Sequence, residues 1–564
     1  ICLKPEKGLY TNESIPVVDY SSLYPSSMIS ENISHDSKVW TKEYDLNDNM
    51  LKVTGERNPK GEFVYDNLPG YKYVDIKYDT YEYRRKNAKS REEKIKVGYK
   101  ICRYAQFPNG KKAIMPTVLT NLLYNRKRTR NFIKFKTVTM KDGQEFSGLL
   151  SETDIHYVVI DADKNKTECL KDDVVKVEDT YNDFMKNVFD ARQGGLKIVA
   201  NSLYGQTGAK TSSFYDKDIA ASTTATGRKL LMYAKKIITE CYGNVVVDTK
   251  YGNVRVNAKV IYGDTDSAFM CFYLEWMDGT PIEGEKELEL SIEMGIRVGK
   301  LASKFLKPPH DLEYEKTFKP FLLLSKKRYV GMMYETNVNK CKRKSMGIVL
   351  KRRDNAPIVK DVYGGIVDIL MSNQSVEKAI EFTKRCLKDI VDEKYPKSRL
   401  IITKSLRGFY KNPDSIAHKV LADRMGKRDP GNKPATGSRI PYIYIQTKGK
   451  VKLQGDKIEH PDYIEKHNIK PDYSFYITNQ IQKPVQQIFC LVLENIKEFL
   501  KYKKAFKLKL NSINRMYKNN EGKQVEKETK LREKYVQKII FDDSLIKAVN
   551  MKKNQHALSH FFHK

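Results

Sequence analysis

The sequence has no long apolar segment and no paired cysteines. No stretch approaches the ~18 consecutive apolar residues of a membrane-spanning helix, and no signal peptide opens the chain. The 8 cysteines are scattered, and none stands in a Cys-x-x-Cys pair that would indicate a zinc site. These absences argue against a membrane protein and a zinc module, and we expect a reduced, intracellular protein.

Acidic residues are also few relative to basic ones. The 564 residues include 70 Asp and Glu against 102 Lys and Arg, a formal charge of +32, with a pI of about 9.4. Such an excess favours a polyanionic partner, nucleic acid first, over a merely well-solvated surface. The length allows three or four domains. Because the first residue is Ile1 rather than methionine, we expect the chain to belong to a larger gene product.

Two short segments carry aspartates at the edge of apolar, strand-like runs. Residues 18–26 read VDYSSLYPS and residues 262–267 read YGDTDS; between them, residues 197–205 read KIVANSLYG, a helical pattern led by lysine. A lone aspartate in such a place most often caps a turn. The three segments together indicate a site for two metal ions, a triphosphate and a nucleic-acid end, because nucleotidyl transfer needs charge neutralised on the triphosphate and the attacking hydroxyl.

The three segments resemble motifs A, B and C of the family B DNA polymerases. Other strings that resemble this family are LEYEK at 312–316, KKRY at 326–329, RRD at 352–354 and GSRIPY at 437–442. The resemblance runs from about residue 10 to about residue 490. It implies a DNA-directed DNA polymerase that adds deoxynucleotides to a primer 3′-hydroxyl on a template.

The resemblance also implies the metal ligands. Asp19 and Asp266 would hold two Mg²⁺ ions, for which Mn²⁺ is a possible substitute, and the backbone carbonyl of Tyr20 would be a further ligand. Asp264 would be a third catalytic carboxylate in a supporting role, with Gly263 making the bend before it. Magnesium prefers hard oxygen ligands and keeps several waters, so few carboxylates suffice.

A second group of residues is expected to bind the incoming nucleotide. The backbone N–H groups of Ser22, Leu23 and Tyr24 would lie at a helix start, where such groups bind phosphate oxygens. By resemblance, the Tyr24 ring excludes a ribose 2′-hydroxyl; a core aromatic is the alternative. Helical spacing puts three further candidates, Lys197, Asn201 and Tyr204, on one helix face. Arg126 and Arg130 lie one turn apart on another helix and are also candidates. Lys127 and Arg128 beside them are equally basic.

A third group is expected to contact primer–template DNA. The resemblance implies a strand at the duplex minor groove on which charged and ring side chains alternate; its residues are Lys326, Lys327, Arg328 and Tyr329. An edge strand protected by lysines is the alternative. Arg439 is expected where the thumb of such polymerases approaches the duplex.

The expected fold class is α+β and multidomain: a right-hand polymerase with an antiparallel-sheet palm, helical-hairpin fingers and a mainly helical thumb. Helical patterns predict two fingers helices, at about 116–134 and at 182–205 with Gly205 as its end, and a further helix from about Thr223 to Tyr242. Between the two fingers helices, residues 135–181 alternate apolar and polar positions and contain an Asp-Gly turn, which predicts a small β insertion. Its charge is mixed, so we favour a partner protein over DNA as its contact. The expected domains are palm 1–115, fingers 116–210, palm 211–365, and thumb with a basic tail 366–564.

Two other functions are weighed against a polymerase. An inactive, polymerase-derived scaffold would normally lose its carboxylates, which are present here. Protein-primed members of the family carry an insertion between motifs A and B, but the insertion here is β-patterned and lies within the expected fingers. The Asp-x-Glu pattern of a 3′–5′ exonuclease site occurs only at 311–313, where it overlaps the LEYEK string. We therefore expect an exonuclease domain to be encoded upstream. The sequence of residues 202–231 resembles polymerases of large double-stranded DNA viruses, which favours a viral source. Expected partners are primer–template DNA, dNTPs and a processivity factor, with no membrane, in a host nucleus or cytoplasmic viral factory.

Overall fold

The computed structural model describes residues 2–85, 87, 90, 92–351, 353–372, 374–447 and 451–552. The chain is a mixed α+β protein with several antiparallel sheets. It divides into two compact units. The first consists of Ile1–Leu3, Val17–Met270 and Glu293–Glu315; the second consists of Lys4–Pro16, Cys271–Ile292 and Lys316–Lys564.

The helices alternate with groups of strands along the chain. The α-helices are α1 Leu23–Ser30, α2 Ile114–Ile133, α3 Asp183–Gly208, α4 Lys217–Cys241, α5 Gly284–Ser303, α6 Pro357–Ser372, α7 Val376–Val391, α8 Ala417–Arg428, α9 Pro461–Lys466, α10 Tyr473–Phe475, α11 Gln482–Phe489, α12 Lys503–Met516, α13 Glu521–Val536 and α14 Asp542–Lys552.

The strands are mostly short and pair in antiparallel fashion. They are β1 Gly8–Tyr10, β2 Ile15–Tyr20, β3 Lys38–Asp45, β4 Met50–Gly55, β5 Lys72–Arg84, β6 Glu93–Gln106, β7 Phe135–Met140, β8 Glu145–Glu152, β9 His156–Ile160, β10 Lys166–Leu170, β11 Val174–Asp179, β12 Gly243–Thr249, β13 Gly252–Asn257, β14 Lys259–Asp264, β15 Ser267–Cys271, β16 Glu275–Trp276, β17 Leu312–Ser325, β18 Arg328–Tyr334, β19 Cys341–Met346, β20 Ile402–Ser405, β21 Arg439–Tyr444 and β22 Ile458–Glu459.

In the first unit, β14, β15 and β2 are neighbours in that order, and a separate sheet has the order β4-β3-β6-β5. Helix α1 follows β2 after two residues, so the strand that ends at Tyr20 leads directly into a helix start. Buried side chains from α1, β6, α2 and α4 share one apolar core; they include Met28, Tyr104, Leu119 and Ile219. This core fixes the helices around the end of β2, because burial of large apolar side chains is the dominant favourable contribution to folding.

Helices α2 and α3 are connected by a five-stranded sheet of order β10-β9-β8-β7-β11, so the period-two pattern of 135–181 correctly predicted short strands. We call residues 135–181 the β module. Val138, Val159 and Cys169 form its small core. At its base, Asp179 pairs with Lys136 and Lys186, and these hydrogen bonds lower the pKa of Asp179 to about 2.

Aromatic rings reinforce the base of the β module. Phe132 at the end of α2 contacts Phe135, Tyr181 and Phe189, with ring centroids 5.3, 6.3 and 5.5 Å away. Such edge-to-face and tilted pairs each add about 0.5–1.5 kcal/mol beyond their buried area. The β module is therefore attached to both helices by packed rings as well as by two chain connections.

The second unit contains β1, β17, β18 and β19 as successive neighbours, followed by helices α6 to α14. One extended apolar core joins α6, α7, α11 and the later helices, with Tyr363, Leu387, Phe489 and Phe541 fully buried. The strands β20, β21 and β22 form a further small sheet within this mainly helical part. No helix in the described ranges is both long and apolar enough to cross a membrane.

Two helix boundaries differ from the sequence prediction. The second fingers-like helix was expected to end at Gly205 but continues to Gly208, because a glycine inside a long helix costs only ~1 kcal/mol. The next helix was expected from about Thr223 but begins at Lys217, where the Asp216 carboxylate accepts hydrogen bonds from the N–H groups of Asp218 and Ile219. This N-cap, upstream of the expected start, was the sequence signal that the apolar periodicity had hidden.

Candidate active site

The two aspartate segments meet at the ends of adjacent strands. In the β15–β2 pair, Ser267 lies directly opposite Asp19, and the Tyr20 N–H donates to the main-chain oxygen of Asp266 at 2.9 Å. The turn that carries Asp266 is tight, since the Asp266 N–H donates to the Asp264 carbonyl at 2.7 Å. The antiparallel register therefore brings Asp19 and Asp266 to the same edge of the sheet.

The sequence had suggested that Gly263 makes the bend in YGDTDS, but the bend lies at Thr265. Thr265 has a φ of +59°, which is unfavourable for a β-branched residue and is found mostly where a site constrains the backbone. Gly263 lies within β14, and a Cβ there would stand 2.8 Å from the Leu3 side chain. The glycine is thus required by close packing of Leu3 and not by a turn.

The edge of the sheet carries an excess of negative charge. Asp19, Asp266, Glu313 and Glu315 all line one cavity of about 710 Å³. Burial raises the pKa of Asp266, and the nearby Asp264 and Glu315 carboxylates raise it further, while Lys197 opposes them. Clustered carboxylates repel one another unless a cation compensates their charge.

The donor set at this edge fits magnesium better than a metal that requires many side chains. Within the described ranges, no group of three or more His, Cys, Asp or Glu side chains is placed to hold a metal ion. Magnesium is commonly bound through one or two carboxylates, with waters and substrate phosphates completing the set. Asp264 has other contacts, since it accepts hydrogen bonds from Cys2 Sγ and Thr265 Oγ1, both at 3.2 Å.

Two tyrosines that line the cavity pack against each other with tilted rings. The ring centroids of Tyr24 and Tyr204 are 4.3 Å apart, and burial together with nearby groups raises the pKa of Tyr24 to about 12, so its hydroxyl stays protonated. Gly227 on α4 lies behind this pair. A Cβ at Gly227 would stand 3.1 Å from the Tyr24 ring and 3.2 Å from the Leu23 side chain.

Helices α2 and α3 add positive charge to the same cavity. Lys197, Asn201 and Tyr204 line it from α3, as their spacing predicted, and Arg126 and Arg130 line it from α2. The Arg126 guanidinium donates to Ser22 Oγ at 3.2 Å and to Gln193 Oε1 at 3.4 Å. Burial and the charge of Arg130 lower the pKa of Arg126.

The structure separates the arginines that the sequence left equivalent. Arg128 lies over the Phe132 ring, 5.7 Å from its centroid, and does not line the cavity, whereas Arg126 and Arg130 do. The Arg130 side chain has no ion pair or hydrogen bond with any part of the chain that the structure describes. Its guanidinium is the more available of the two for a ligand.

A family model described as DNA polymerase family B matches residues 1–144 and 171–492. The chain belongs to this family. Among curated proteins, it is 46% identical to a DNA polymerase of Pyramimonas orientalis virus over all 564 residues, which cover 43% of that relative. It is 44% identical to a DNA polymerase of Acanthamoeba polyphaga mimivirus over 44% of this chain and 15% of the relative.

A cellular family B member is also similar. The DNA polymerase delta catalytic subunit of Caenorhabditis elegans is 29% identical over 86% of this chain and 35% of its own length. The chain spans less than half the length of the curated relatives that it matches. Of these three relatives, the two viral polymerases have the higher identity, and the expected resemblance is confirmed.

The residues expected at the DNA duplex are placed differently from the prediction. Lys326 and Lys327 form the turn between β17 and β18 instead of lying along a strand, and Lys327 has a φ of +60°. Arg328 begins β18, and Tyr329 is buried, with its ring 5.5 Å from the Phe321 ring. The alternation of charge and ring had suggested a continuous strand because period-two patterns do not reveal a two-residue turn.

Arg439 begins β21 and is engaged within its own sheet. Its guanidinium donates to Thr403 Oγ1 at 2.8 Å, to the Thr403 carbonyl at 2.9 Å and to Ser405 Oγ at 3.2 Å. These bonds brace β20 against β21. A DNA contact by Arg439 would have to compete with them.

Sequence reasoning missed several residues that line the cavity. Asp190 and Gln193 precede Lys197 by seven and four residues on α3, so extending the helical spacing upstream would have found them. Glu313 and Glu315 lie in the LEYEK string, to which no role had been assigned. Gly227 carried no signal, because its importance arises only from the packing of α4 behind Tyr24.

Proposed function

We propose that this chain is the catalytic core of a DNA-directed DNA polymerase, which adds dNTPs to a primer 3′-hydroxyl under the direction of a template. The observation that carries this proposal is a single cavity lined by Asp19, Asp266, Tyr24, Lys197 and Arg130. It combines carboxylates for cations, an aromatic floor for a sugar and basic groups for a triphosphate. Membership of the polymerase family supports the same conclusion.

The proposed right-hand architecture follows the predicted boundaries. Residues 1–115 and 211–365 would form the palm, residues 116–210 the fingers with the β module, and residues 366–564 the thumb and basic tail. Helices α2 and α3 support the fingers assignment, because both present basic residues to the cavity. The mainly helical composition beyond residue 365 supports the thumb assignment.

Asp19 and Asp266, with the Tyr20 carbonyl, would hold two magnesium ions. When bound, these ions would neutralise charge on the triphosphate and favour the deprotonated primer hydroxyl. The protein's own contribution is to place the carboxylates rigidly. Adjacent strands fix Asp19 and Asp266 in register, and Asp264 orders the turn between them.

The remaining cavity residues would hold and select the nucleotide. Lys197 and Arg130 provide positive charge for phosphate oxygens. Leu23 and Tyr24 open α1, where N–H groups of the first turn have no partner within the helix and are available to phosphate. The Tyr24 ring, supported by Tyr204 and Gly227, would lie against the sugar.

A primer-extension assay tests the proposal directly. With Mg²⁺, a labelled primer and templates of four different first bases, we expect extension only by the complementary dNTP. Chelation of the metal should stop extension, and Mn²⁺ should restore part of it. Extension that ignores the template base, or a folded chain that binds DNA but extends nothing, would contradict a polymerase core and favour a nucleic-acid-binding scaffold.

The turn at Lys326 offers a test of the DNA contact. We expect the triple change Lys326→Ala, Lys327→Ala and Arg328→Ala to weaken binding equally for different duplex sequences, because phosphate contacts carry no base information. Each lost contact should reduce the slope of log Kd against log salt concentration by about one. Fluorescence anisotropy at several salt concentrations measures Kd and hence this slope.

Arg439→Ala is the matched comparison in the same unit. Because its guanidinium is already engaged by Thr403 and Ser405, we expect a smaller change in slope. An unaltered slope in the triple variant would identify the lysines as edge protection for the β17–β18 hairpin.

The packing behind Tyr24 predicts a specific defect. Gly227→Ala should move the Tyr24 ring by a few tenths of an ångström, since the added Cβ would otherwise lie 3.1 Å from it. We expect KM for dNTP to rise several-fold while the helix remains folded, because alanine is the better helix former. Gly194→Ala in α3 is the control, since a Cβ there meets nothing within 4 Å. Equal kinetics in both variants would contradict the role of Gly227.

A further inference from the structure

The β module has two sheet edges that pair with no other strand in the described part of the chain. Its edge strands are β10 and β11, yet only the 3 residues Lys171–Asp173 connect them. Such a link spans at most ~14 Å, so the end of β10 and the start of β11 lie close to each other. The backbone groups along the outer edge of β10 face no neighbouring strand among the described residues, and such an edge can accept another strand.

Exposed apolar side chains lie where β10 ends and β11 begins. Ile155, Leu170 and Val175 are 63%, 47% and 67% exposed, and we call these three residues the edge patch. The Lys171 N–H donates to the Ile155 carbonyl at 3.0 Å, which brings Ile155 to the end of β10. Three hydrophobic residues form the buried core of the β module, and the edge patch leaves as many large hydrophobic residues exposed.

The charge of the β module opposes that of the rest of the chain. Residues 135–181 contain 6 lysines, no arginine and 11 Asp or Glu, a formal charge of −5 in a chain of +32. The charge expected to be mixed is therefore net acidic. Glu168 on β10 and Asp172 in the link have no ion pair in the described ranges. This surface would repel DNA phosphates and attract a Lys/Arg-rich segment.

The two edges differ in how well they are protected against added strands. β11 contains a bulge between Val174 and Lys176, and a bulge is a usual protective device. β10 pairs with β9 in unbroken register over all five of its residues. Its outer edge is regular and is therefore the better acceptor.

Just over half of the β module lies outside the residues that the family model matches. The match stops at residue 144 and resumes at residue 171, so β8, β9 and β10 are not among the matched residues. An element that the family match covers only in part, with its own core and its own charge, is suited to a separate interaction.

We propose that β10 is a docking edge for a Lys/Arg-rich, extended segment of a partner protein. The segment would add to β10 as a further strand. Because Glu168 and Leu170 are two residues apart and share one face of β10, basic and apolar side chains on one face of the segment would meet Glu168 and the edge patch, and a basic side chain at its end would lie near Asp172. Backbone hydrogen bonds would supply affinity, and the alternating side chains would supply specificity.

The test uses the full chain and a fluorescent peptide of about eight residues, close to the usual strand length. Threonines alternate in it with residues that are lysine and valine in turn, so this Lys/Val peptide carries lysine and valine on one face. We expect saturable binding by fluorescence anisotropy that weakens as salt rises. The same peptide with glutamate in place of lysine should not bind. The Lys/Val peptide should also lose binding when N-methylation blocks the N–H groups of every second residue; tight binding by both N-methylated registers would overturn strand addition.

Paired protein variants locate the site. Glu168→Gln with Asp172→Asn should weaken binding about tenfold, whereas Asp161→Asn with Asp163→Asn should leave it unchanged. The second pair makes the same charge change in the β9–β10 turn, and the amide introduced at position 161 would retain an acceptor oxygen for the N–H groups of positions 163 and 165. Equal losses in both pairs would overturn a local site.

Val175→Ser tests the apolar contribution at an exposed position that a serine tolerates. We expect weaker peptide binding with primer extension at the wild-type rate, because the β module lines no part of the cavity at Asp19. No binding of the Lys/Val peptide by the wild-type chain would overturn the proposal, whatever the outcome for polymerase activity.

Discussion

Replacing Asp19 or Asp266 with asparagine should abolish primer extension, with a loss of at least ~10³ in rate, while DNA binding remains largely intact. Each carboxylate would position ions whose charge is needed mainly in the transition state, so its removal affects chemistry more than binding. Single-turnover extension and a separate binding titration measure the two quantities. A rate near wild type for Asp19→Asn would contradict the assignment.

Stability measurements distinguish this effect from unfolding. Burial and acidic neighbours raise the pKa of Asp266, which means that they disfavour its charged form, so a neutral asparagine should leave the free energy of unfolding unchanged or increase it. Asp264→Asn should reduce the rate less, because its carboxylate accepts hydrogen bonds from Cys2 and Thr265 that an amide oxygen can also accept. A large loss of stability in Asp266→Asn would make its inactivity uninformative about metal binding and would contradict the predicted relief of repulsion.

The second large effect concerns the choice of sugar. Tyr24→Ala should admit ribonucleotides, because removal of a tight steric contact is worth ~1–3 kcal/mol, or roughly 10–200-fold in selectivity. The ratio of kcat/KM for dNTP to that for rNTP measures it. Unchanged discrimination would remove Tyr24 from this role.

Tyr24→Phe separates the ring from the hydroxyl. The ring stacks on Tyr204 with centroids 4.3 Å apart, so phenylalanine should keep most of the discrimination. If both variants lost discrimination equally, the hydroxyl rather than the bulk of the ring would be responsible. Alanine also removes the stacking partner of Tyr204, so a modest loss of affinity for every nucleotide is expected beside the change in selectivity.

The sequence was most informative where function and local structure coincide. The strand, turn and helix around Asp19 follow one another directly in the chain, and β2 and α1 have the predicted order. The helical spacing of Lys197, Asn201 and Tyr204 likewise predicted a shared face. In such cases the chemistry depends on neighbours in the chain, which periodicity and turn chemistry describe well.

Features that depend on distant contacts were not predictable in this way. The close approach of Leu3 to Gly263, and of Gly227 to Tyr24, joins segments far apart in the sequence. The two-residue turn at Lys326 is invisible to an alternating pattern that continues on both sides of it. The pairing order of the β module was also hidden, because alternation identifies strands but not their neighbours.

The double attachment of the β module makes it a lever. Phe132, Tyr181 and Asp179 fix its base to α2 and α3, so a rotation of these helices would carry the β module with it as one body. Its far strands would then travel further than the helices themselves, in proportion to their distance from the pivot. If nucleotide binding rotates α2 and α3, a dye at exposed Lys164, in the β9–β10 turn, would therefore move further than a dye on the helices and would need no label near Tyr24.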